Sequence, residues 1–323
     1  MTTATIPRMN QLPTNPTLSE ALELYELLDA HAWKVLEPFY WETRKRLPVD
    51  RMWRYGTGFV RETAKSFFDV FNRHGSLMDS SFLEIGCGDR HPYAVSAILY
   101  LNGAARCWAT DMSAISDPER SAVAMYDLLT CCLAHPEQWH WSSIERSEFL
   151  QRIYQFNLGE LRDGHLTPGV EGVPLYHFRG DVAAIRRDLP PIDFIASRAV
   201  LEHFLDFRGA MEELLTVLSA KGVAYHAIDF VDHRAYRDSG TYHWWSFLEE
   251  GNRSPDGECN RLRISEMIRA MEDVGYEVDI LKSARETPPA DVLAKIREMC
   301  PDLSQEDIET VRCRLTTRKR TET

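Results

Sequence analysis

The chain has 323 residues, 44% of them hydrophobic, and a formal net charge of -12: enough apolar content for a buried core, and too acidic to favour a phosphate backbone. The N-terminal stretch lacks the apolar core of a secretory signal, and no run approaches the roughly 18 apolar residues of a membrane span, so a cytoplasmic enzyme without nucleic-acid or membrane partners is expected. The seven cysteines are odd in number and include no CxxC pair, which reads as reduced thiols with no metal signature.

Residues 1–16 are polar and rich in Pro and Thr, and read as a flexible leader. Thr17 and Glu20 have the spacing of a capping box and open a helical pattern. A second pattern, Gly58 to Phe71, stops near Gly75, so residues 17–75 form a helical cap. Then the period changes. Ser81 to Ile85 is a short apolar strand ending at Gly86-Cys87-Gly88, and Pro92 suits the first turn of a helix that ends near Gly103. The next strand, Arg106 to Thr110, runs into Asp111 and completes a βαβ half-unit. An ordinary crossover needs one helix, so residues 112–175 are an insertion of about two extra helices, placed to shape a substrate pocket. Ile192 to Ser197 and Val223 to Asp229 are buried strands, separated by an amphipathic helix from Phe207 and a Lys221-Gly222 turn. The helix Ser265 to Val274 stops at Gly275, and strands at Tyr276 to Leu281 and Thr310 to Thr316 follow. The expected fold is α/β: a Rossmann-like, doubly wound, mostly parallel sheet over residues 76–323, with an N-terminal helical cap and a helical insertion.

The glycines of Glu84-Ile85-Gly86-Cys87-Gly88 let a nucleotide-bearing ligand approach the backbone, and a carboxylate after the second strand, Asp111, can accept both ribose hydroxyls. A dinucleotide fingerprint wants a third glycine where His91 stands, so a ligand without a pyrophosphate is favoured.

These residues resemble the first motif of class I S-adenosylmethionine-dependent methyltransferases, where Glu84, Gly86, Cys87 and Gly88 would support the methionine part of the cofactor. The resemblance implies that Asp111 holds the ribose and Met112 packs on the adenine, while Gly180-Asp181-Val182 supplies an acid for the adenine amino group. Ser197 and Arg198, opening the stretch to Glu202 and His203, resemble the fourth motif beside the methionine moiety. The likeness is strong over residues 80 to 230 and weaker to the C-terminus, where VDHRAYRD, WWSFLEEGNR and CNRLR are similar to a bacterial subgroup. It also implies an antiparallel last strand.

A sulfonium is an activated methyl donor, so the protein needs to align the acceptor and take a proton from it. His203 and His233 are the acid/base candidates, with Asp232 orienting one of them; His226 and Asp229 share the same sheet edge. Trp244, Trp245 and Phe247 line an aromatic pocket or pack in a core, as do Trp139 and Trp141. Arg261 and Arg263 bind an acceptor carboxylate or stand on a solvated surface, and Tyr40, Arg54 and Tyr55 cover the cofactor carboxylate or pack in the cap. The leading reading is methyl transfer to oxygen or nitrogen of a small molecule, without a metal, and a homodimer is compatible with it. Three alternatives stay open: an enzyme that cyclises S-adenosylmethionine itself, an NAD-dependent oxidoreductase, and a binding protein without catalysis.

Overall fold

The computed structural model describes residues 57–321. The leader, the helical pattern from Thr17, and Tyr40, Arg54 and Tyr55 lie outside the described residues. Seven strands form one sheet: β1 (Ser81–Ile85), β2 (Arg106–Asp111), β3 (Leu175–Arg179), β4 (Ile192–Arg198), β5 (Leu218–Asp229), β6 (Tyr276–Arg285) and β7 (Thr310–Lys319). Their spatial order is β3-β2-β1-β4-β5-β7-β6. Neighbours from β3 through β5 pair parallel, and β7 pairs antiparallel with both β5 and β6. The sheet is therefore doubly wound and mostly parallel, and the chain-order reversal beside β1 opens a crevice at the carboxyl ends of β1 and β4.

Both faces are covered, which is why β1 is apolar on both sides of its pleat. Phe82 meets the first face, where α1 (Thr57–His74) and α2 (Ala94–Leu101) pack with α3 (Pro118–Ala134). Leu83 and Ile85 meet the second, against α8 (Val182–Ile185), α9 (Phe207–Val217) and α12 (Ile264–Val274). Helix α1 is not a lid. Phe71 lies 4.6 Å from Phe194 and Phe67 lies 5.5 Å from Tyr225, ring to ring, so its aromatic stripe is part of the core. The helix from Thr57 to His74, expected in the cap, packs directly on the sheet.

The insertion holds five helices rather than two: α3, α4 (Pro136–Trp139), α5 (Arg146–Ile153), α6 (Leu158–Arg162) and α7 (Leu166–Val170). Four of them have eight residues or fewer, too short for a 3.6-residue period to register in the sequence. Trp139 is buried and stacks with Trp141, so this pair is core. Pro92 precedes α2 instead of opening it. The Lys221-Gly222 turn is also corrected, because both residues lie inside β5. A register shift between Ile192 and Phe194 accommodates them, and a Cβ on Gly222 would stand 2.8 Å from the Ile192 carbonyl.

After β5 come α10 (Arg234–Arg237) and α11 (Ser246–Glu249), and α13 (Ala290–Met299) with α14 (Gln305–Glu309) fills the connection between β6 and β7. Trp245, Phe247 and Leu248 pack there with Ile296 and Ile308, and the Trp245 indole N–H donates to the Ile308 carbonyl at 2.9 Å. The expected aromatic pocket is thus a small third core. No helix among the described residues is long and apolar enough to cross a membrane.

Candidate active site

The glycine turn after β1 and the acid ending β2 are already joined. Gly86 and Cys87 donate their N–H groups to the Thr110 carbonyl at 2.8 and 3.2 Å. Gly88 N–H donates to Asp111 Oδ2 at 2.9 Å, and Ser113 N–H donates to Oδ1 at 2.8 Å. Both glycines have left-handed backbones, with φ of 72° and 81°. Their roles differ. A Cβ on Gly86 would stand 2.2 Å from Val200 Cγ2, whereas one on Gly88 would project into open space. Gly86 makes room for the protein itself, and Gly88 leaves a bare backbone beside the crevice.

Glu84 is buried beneath this turn, with Ser96 Oγ donating to Oε2 at 3.3 Å. Burial pushes its carboxyl from the ordinary 4.5 up to about 8; the Ser96 hydrogen bond opposes the rise and the charge of Asp111 adds to it. A buried acid of this kind ionises when a cation sits beside it. Cys87 carries a thiol that burial and the Glu84 charge hold well above its usual range, so it is no nucleophile.

On the adjacent edge Met112 is 66% exposed, a large apolar side chain standing free next to Asp111. The Gly180 N–H donates to the Asp111 carbonyl at 2.9 Å. Asp181 Oδ1 caps α8 by accepting from Ala184 N–H at 2.8 Å, and Val182 packs in the second core cluster with Ile85 and Trp108. The elements thus place Gly86, Gly88, Asp111, Met112 and Asp181 along the carboxyl ends of β1, β2 and β3, while Val182 turns its side chain inward.

Two expected cofactor residues are engaged elsewhere. Ser197 is fully buried, and its hydroxyl lies 2.8 Å from Nδ1 of the equally buried His226. Burial lowers His226 to about 3, so it is a neutral core residue and not an edge group. Arg198 donates to Thr63 Oγ1 and lies 4.2 Å over the Phe59 ring, tying the end of β4 to α1. Period-2 alternation and side-chain partners decide these positions, and motif position alone does not report them.

His203 and His233 do meet: their ring centroids are 5.0 Å apart. Burial lowers His233 below its ordinary 6.5, with His203 as the next cause, so His233 is neutral near pH 7. Asp232 does not orient either ring. Its carboxylate is buried and accepts from Arg234 Nη2 at 2.6 Å and from Phe247 N–H at 3.0 Å. The partner that replaces it is Cys259, whose Sγ lies 3.3 Å from His233 Nδ1 and 3.9 Å from His203 Nδ1. Against the expectation of no metal ligands, these three side chains could hold a metal ion, with donor atoms all within 4.8 Å of one another. Cys259 is 26 residues from His233 and 56 from His203, so no sequence spacing could have flagged the group.

Glu202 is a second residue the sequence could not single out. It is buried beside this cluster, Oε1 accepting from Asp229 N–H at 3.3 Å and Oε2 meeting no hydrogen-bond partner. Burial pushes its carboxyl up to about 8, and the charge of Asp229 adds to the rise. Arg261 and Arg263 are neither solvated nor open to an acceptor. Arg263 is 1% exposed and donates to the carbonyls of Asp307, Phe230 and Thr310 at 2.7, 2.6 and 2.6 Å. Arg261 is bound to the Asn252 carbonyl and Asp256.

A family model described as a methyltransferase domain matches residues 52–280. No curated protein matches the sequence significantly. Among solved structures, the chain is similar to the YcgJ protein of Bacillus subtilis, at 13% identity and a TM-score of 0.41, covering 80% of this chain and 99% of that one. Magnesium protoporphyrin IX methyltransferase from Synechocystis, solved with bound S-adenosylmethionine, aligns at 12% identity and a TM-score of 0.39, over 81% of this chain and 79% of its own. A sarcosine dimethylglycine methyltransferase from Galdieria sulphuraria aligns at 12% identity and a TM-score of 0.42, over 80% and 86%. The family match decides against the nicotinamide reading, and it agrees with a crevice that combines a bare glycine backbone, a pre-positioned carboxylate and a buried acid awaiting a cation. The chain belongs to the methyltransferase-domain family and is an S-adenosylmethionine-dependent methyltransferase.

Proposed function

We propose that this enzyme methylates oxygen or nitrogen of a small molecule, and that the acceptor binds at the carboxyl ends of β4 and β5 beside His203 and His233. One observation carries the reading: the prepared crevice at β1 and β2 and the neutral imidazole of His233 after β5 belong to the same edge of one sheet. When bound, S-adenosylmethionine supplies a methyl group already activated by its sulfonium.

The residues fit that cofactor. Gly86, Cys87 and Gly88 offer backbone to its methionine part, and Glu84 offers a carboxyl that ionises beside its positive charge. Asp111 would accept from the ribose hydroxyls, Met112 would pack on the adenine, and Asp181 would contact the adenine edge, with Val182 packed in the core behind it. Ser197 and Arg198 act at one remove, by fixing β4 against β5 and α1. His233, or His203 beside it, takes the acceptor's proton. No disulfide joins any of the seven cysteines, all among the described residues, which suits a reducing cytoplasm, and a homodimer acting on a small substrate, without nucleic acid or membrane, completes the proposal.

Calorimetric titration with S-adenosylmethionine and S-adenosylhomocysteine, followed by transfer of isotopically labelled methyl to a panel of small alcohols, phenols and amines, tests it. Labelled acceptor is the expected product. Consumption of the cofactor without any acceptor, giving a ring-closed amino acid, would replace acceptor methylation with self-cyclisation.

A further inference from the structure

His203, His233 and Cys259 reach one point from three separate segments: the turn after β4, the start of α10 after β5, and the loop before α12. That convergence is built. Asn260 donates through Nδ2 to the carbonyls of Leu201 and Phe204 at 2.8 and 3.0 Å, and its N–H donates to the Glu202 carbonyl at 2.8 Å. The loop carrying Cys259 is thereby stitched to the turn carrying His203. Asp256 Oδ1 accepts from Cys259 N–H at 2.7 Å and fixes the cysteine backbone from the other side.

The separation of Cys259 and His233 suits a metal. Imidazole nitrogen at about 2.0–2.1 Å and thiolate sulfur at about 2.3 Å from a tetrahedral zinc stand about 3.5 Å apart. Cys259 Sγ lies 3.3 Å from His233 Nδ1. His203 Nδ1 donates to the Glu258 carbonyl at 2.8 Å, which fixes that ring and leaves Nε2 as its ligand atom, and the donor atoms of the three side chains all lie within 4.8 Å of one another. The pocket beside the cluster is lined by groups of both signs, and its two arginines, Arg261 and Arg263, are bound to Asp256 and to backbone carbonyls. His233 and Cys259 line a cavity of about 20 Å³ with Asp229 and Glu202, and Glu202 Oε2 is a buried oxygen with no partner. That volume admits a single water or ion.

We propose that His203, His233 and Cys259 bind zinc or a similar borderline divalent metal through two nitrogens and one sulfur, leaving one position open to a hydroxyl of the acceptor. Three protein ligands with an open fourth position are the pattern of a catalytic rather than a structural zinc. A hydroxyl entering that position would coordinate as its anion and give its proton to solvent, so for an oxygen acceptor the metal would replace the free histidine as the activating group. The role toward the acceptor rests on the small-molecule reading above; the metal site does not.

The test uses the full chain, freed of metal with a chelator and titrated with Zn²⁺ by calorimetry and with Co²⁺ by absorption. One zinc per chain is expected, with a sulfur-to-cobalt charge-transfer band. Cys259→Ser should abolish the band and weaken zinc by more than about 100-fold, beyond the 10–100-fold of outer-shell changes; His203→Ala should weaken zinc as strongly. Retained S-adenosylmethionine binding in each variant controls for folding. Absence of stoichiometric zinc, or zinc affinity unchanged in Cys259→Ser, overturns the metal site. If zinc binds as expected while no small acceptor is methylated, the metal site stands and the small-molecule reading fails.

Discussion

Gly88 and Asp111 share a 2.9 Å hydrogen bond that joins the turn after β1 to the acid ending β2. The carboxylate is held in place before any ligand arrives, so little ordering is left for binding to do. Replacing Asp111 with alanine would remove the proposed ribose acceptor and loosen the turn together. A charged hydrogen bond contributes about 1.5–3 kcal/mol, so S-adenosylmethionine affinity should fall about 10- to 100-fold in calorimetry. Unchanged affinity would remove Asp111 from the cofactor site.

Glu84 makes cofactor binding depend on pH. In the free protein its carboxyl is protonated up to about pH 8, chiefly through burial. A cationic ligand favours the ionised form, so binding below about pH 8 releases a proton and affinity rises with pH until it levels off there. Calorimetry in buffers of different ionisation enthalpy should detect that proton at pH 7, and Glu84→Gln should abolish it. Stability of the free protein has the opposite slope. A folded pKa raised above the unfolded value contributes stability that is full below about 4.5 and is lost as pH rises through about 8, and Glu202 acts in the same direction.

Gly86 and Val200 interlock the first and fourth motifs. Alanine at Gly86 meets Val200 Cγ2 at 2.2 Å and must hold a φ of 72°. Left-handed strain of about 1–2 kcal/mol and overpacking of about 1–3 kcal/mol add up to a marked loss in urea unfolding. Adding Val200→Ala should recover the overpacking part and leave the strain. Recovery of neither would mean that the clash is not what the variant feels.

Arg263 acts as an internal strut, with three carbonyls on one guanidinium. Lysine keeps the charge but not the fork, so Arg263→Lys should lose at least about 3 kcal/mol in urea unfolding at pH 7. A loss below about 1 kcal/mol would show that water replaces those bonds.

The parallel half of the fold was legible because each strand ends at its own chemistry: Ile85 at a glycine turn, Thr110 at an acid, Ser197 at the fourth motif. The same punctuation places Gly88 and Asp111 at neighbouring strand ends, and the structure joins them by a hydrogen bond. What stayed hidden depends on burial and on loops. Nothing local distinguishes Arg263 inside the protein from an arginine in water, and Asp232 was adjacent to His233 in sequence while its carboxylate faced Arg234 and Phe247. Lys221 and Gly222 read as a turn because a bulged strand uses turn residues. Cys259 joined the histidines only through the path of the chain between β5 and α12.

The position of β7 bears on the order in which this protein assembles. It lies between β5 and β6, although both precede it in the chain. Until residues 310–319 have left the ribosome, β6 has no strand to pair with, and one side of β5 exposes its N–H and C=O groups. The glycine turn and Asp111 are translated far earlier and need only β1 and β2 to meet. The hydrogen bond between Gly88 and Asp111 involves only segments made early, whereas the Arg263 strut, which grips Thr310, closes only when β7 enters.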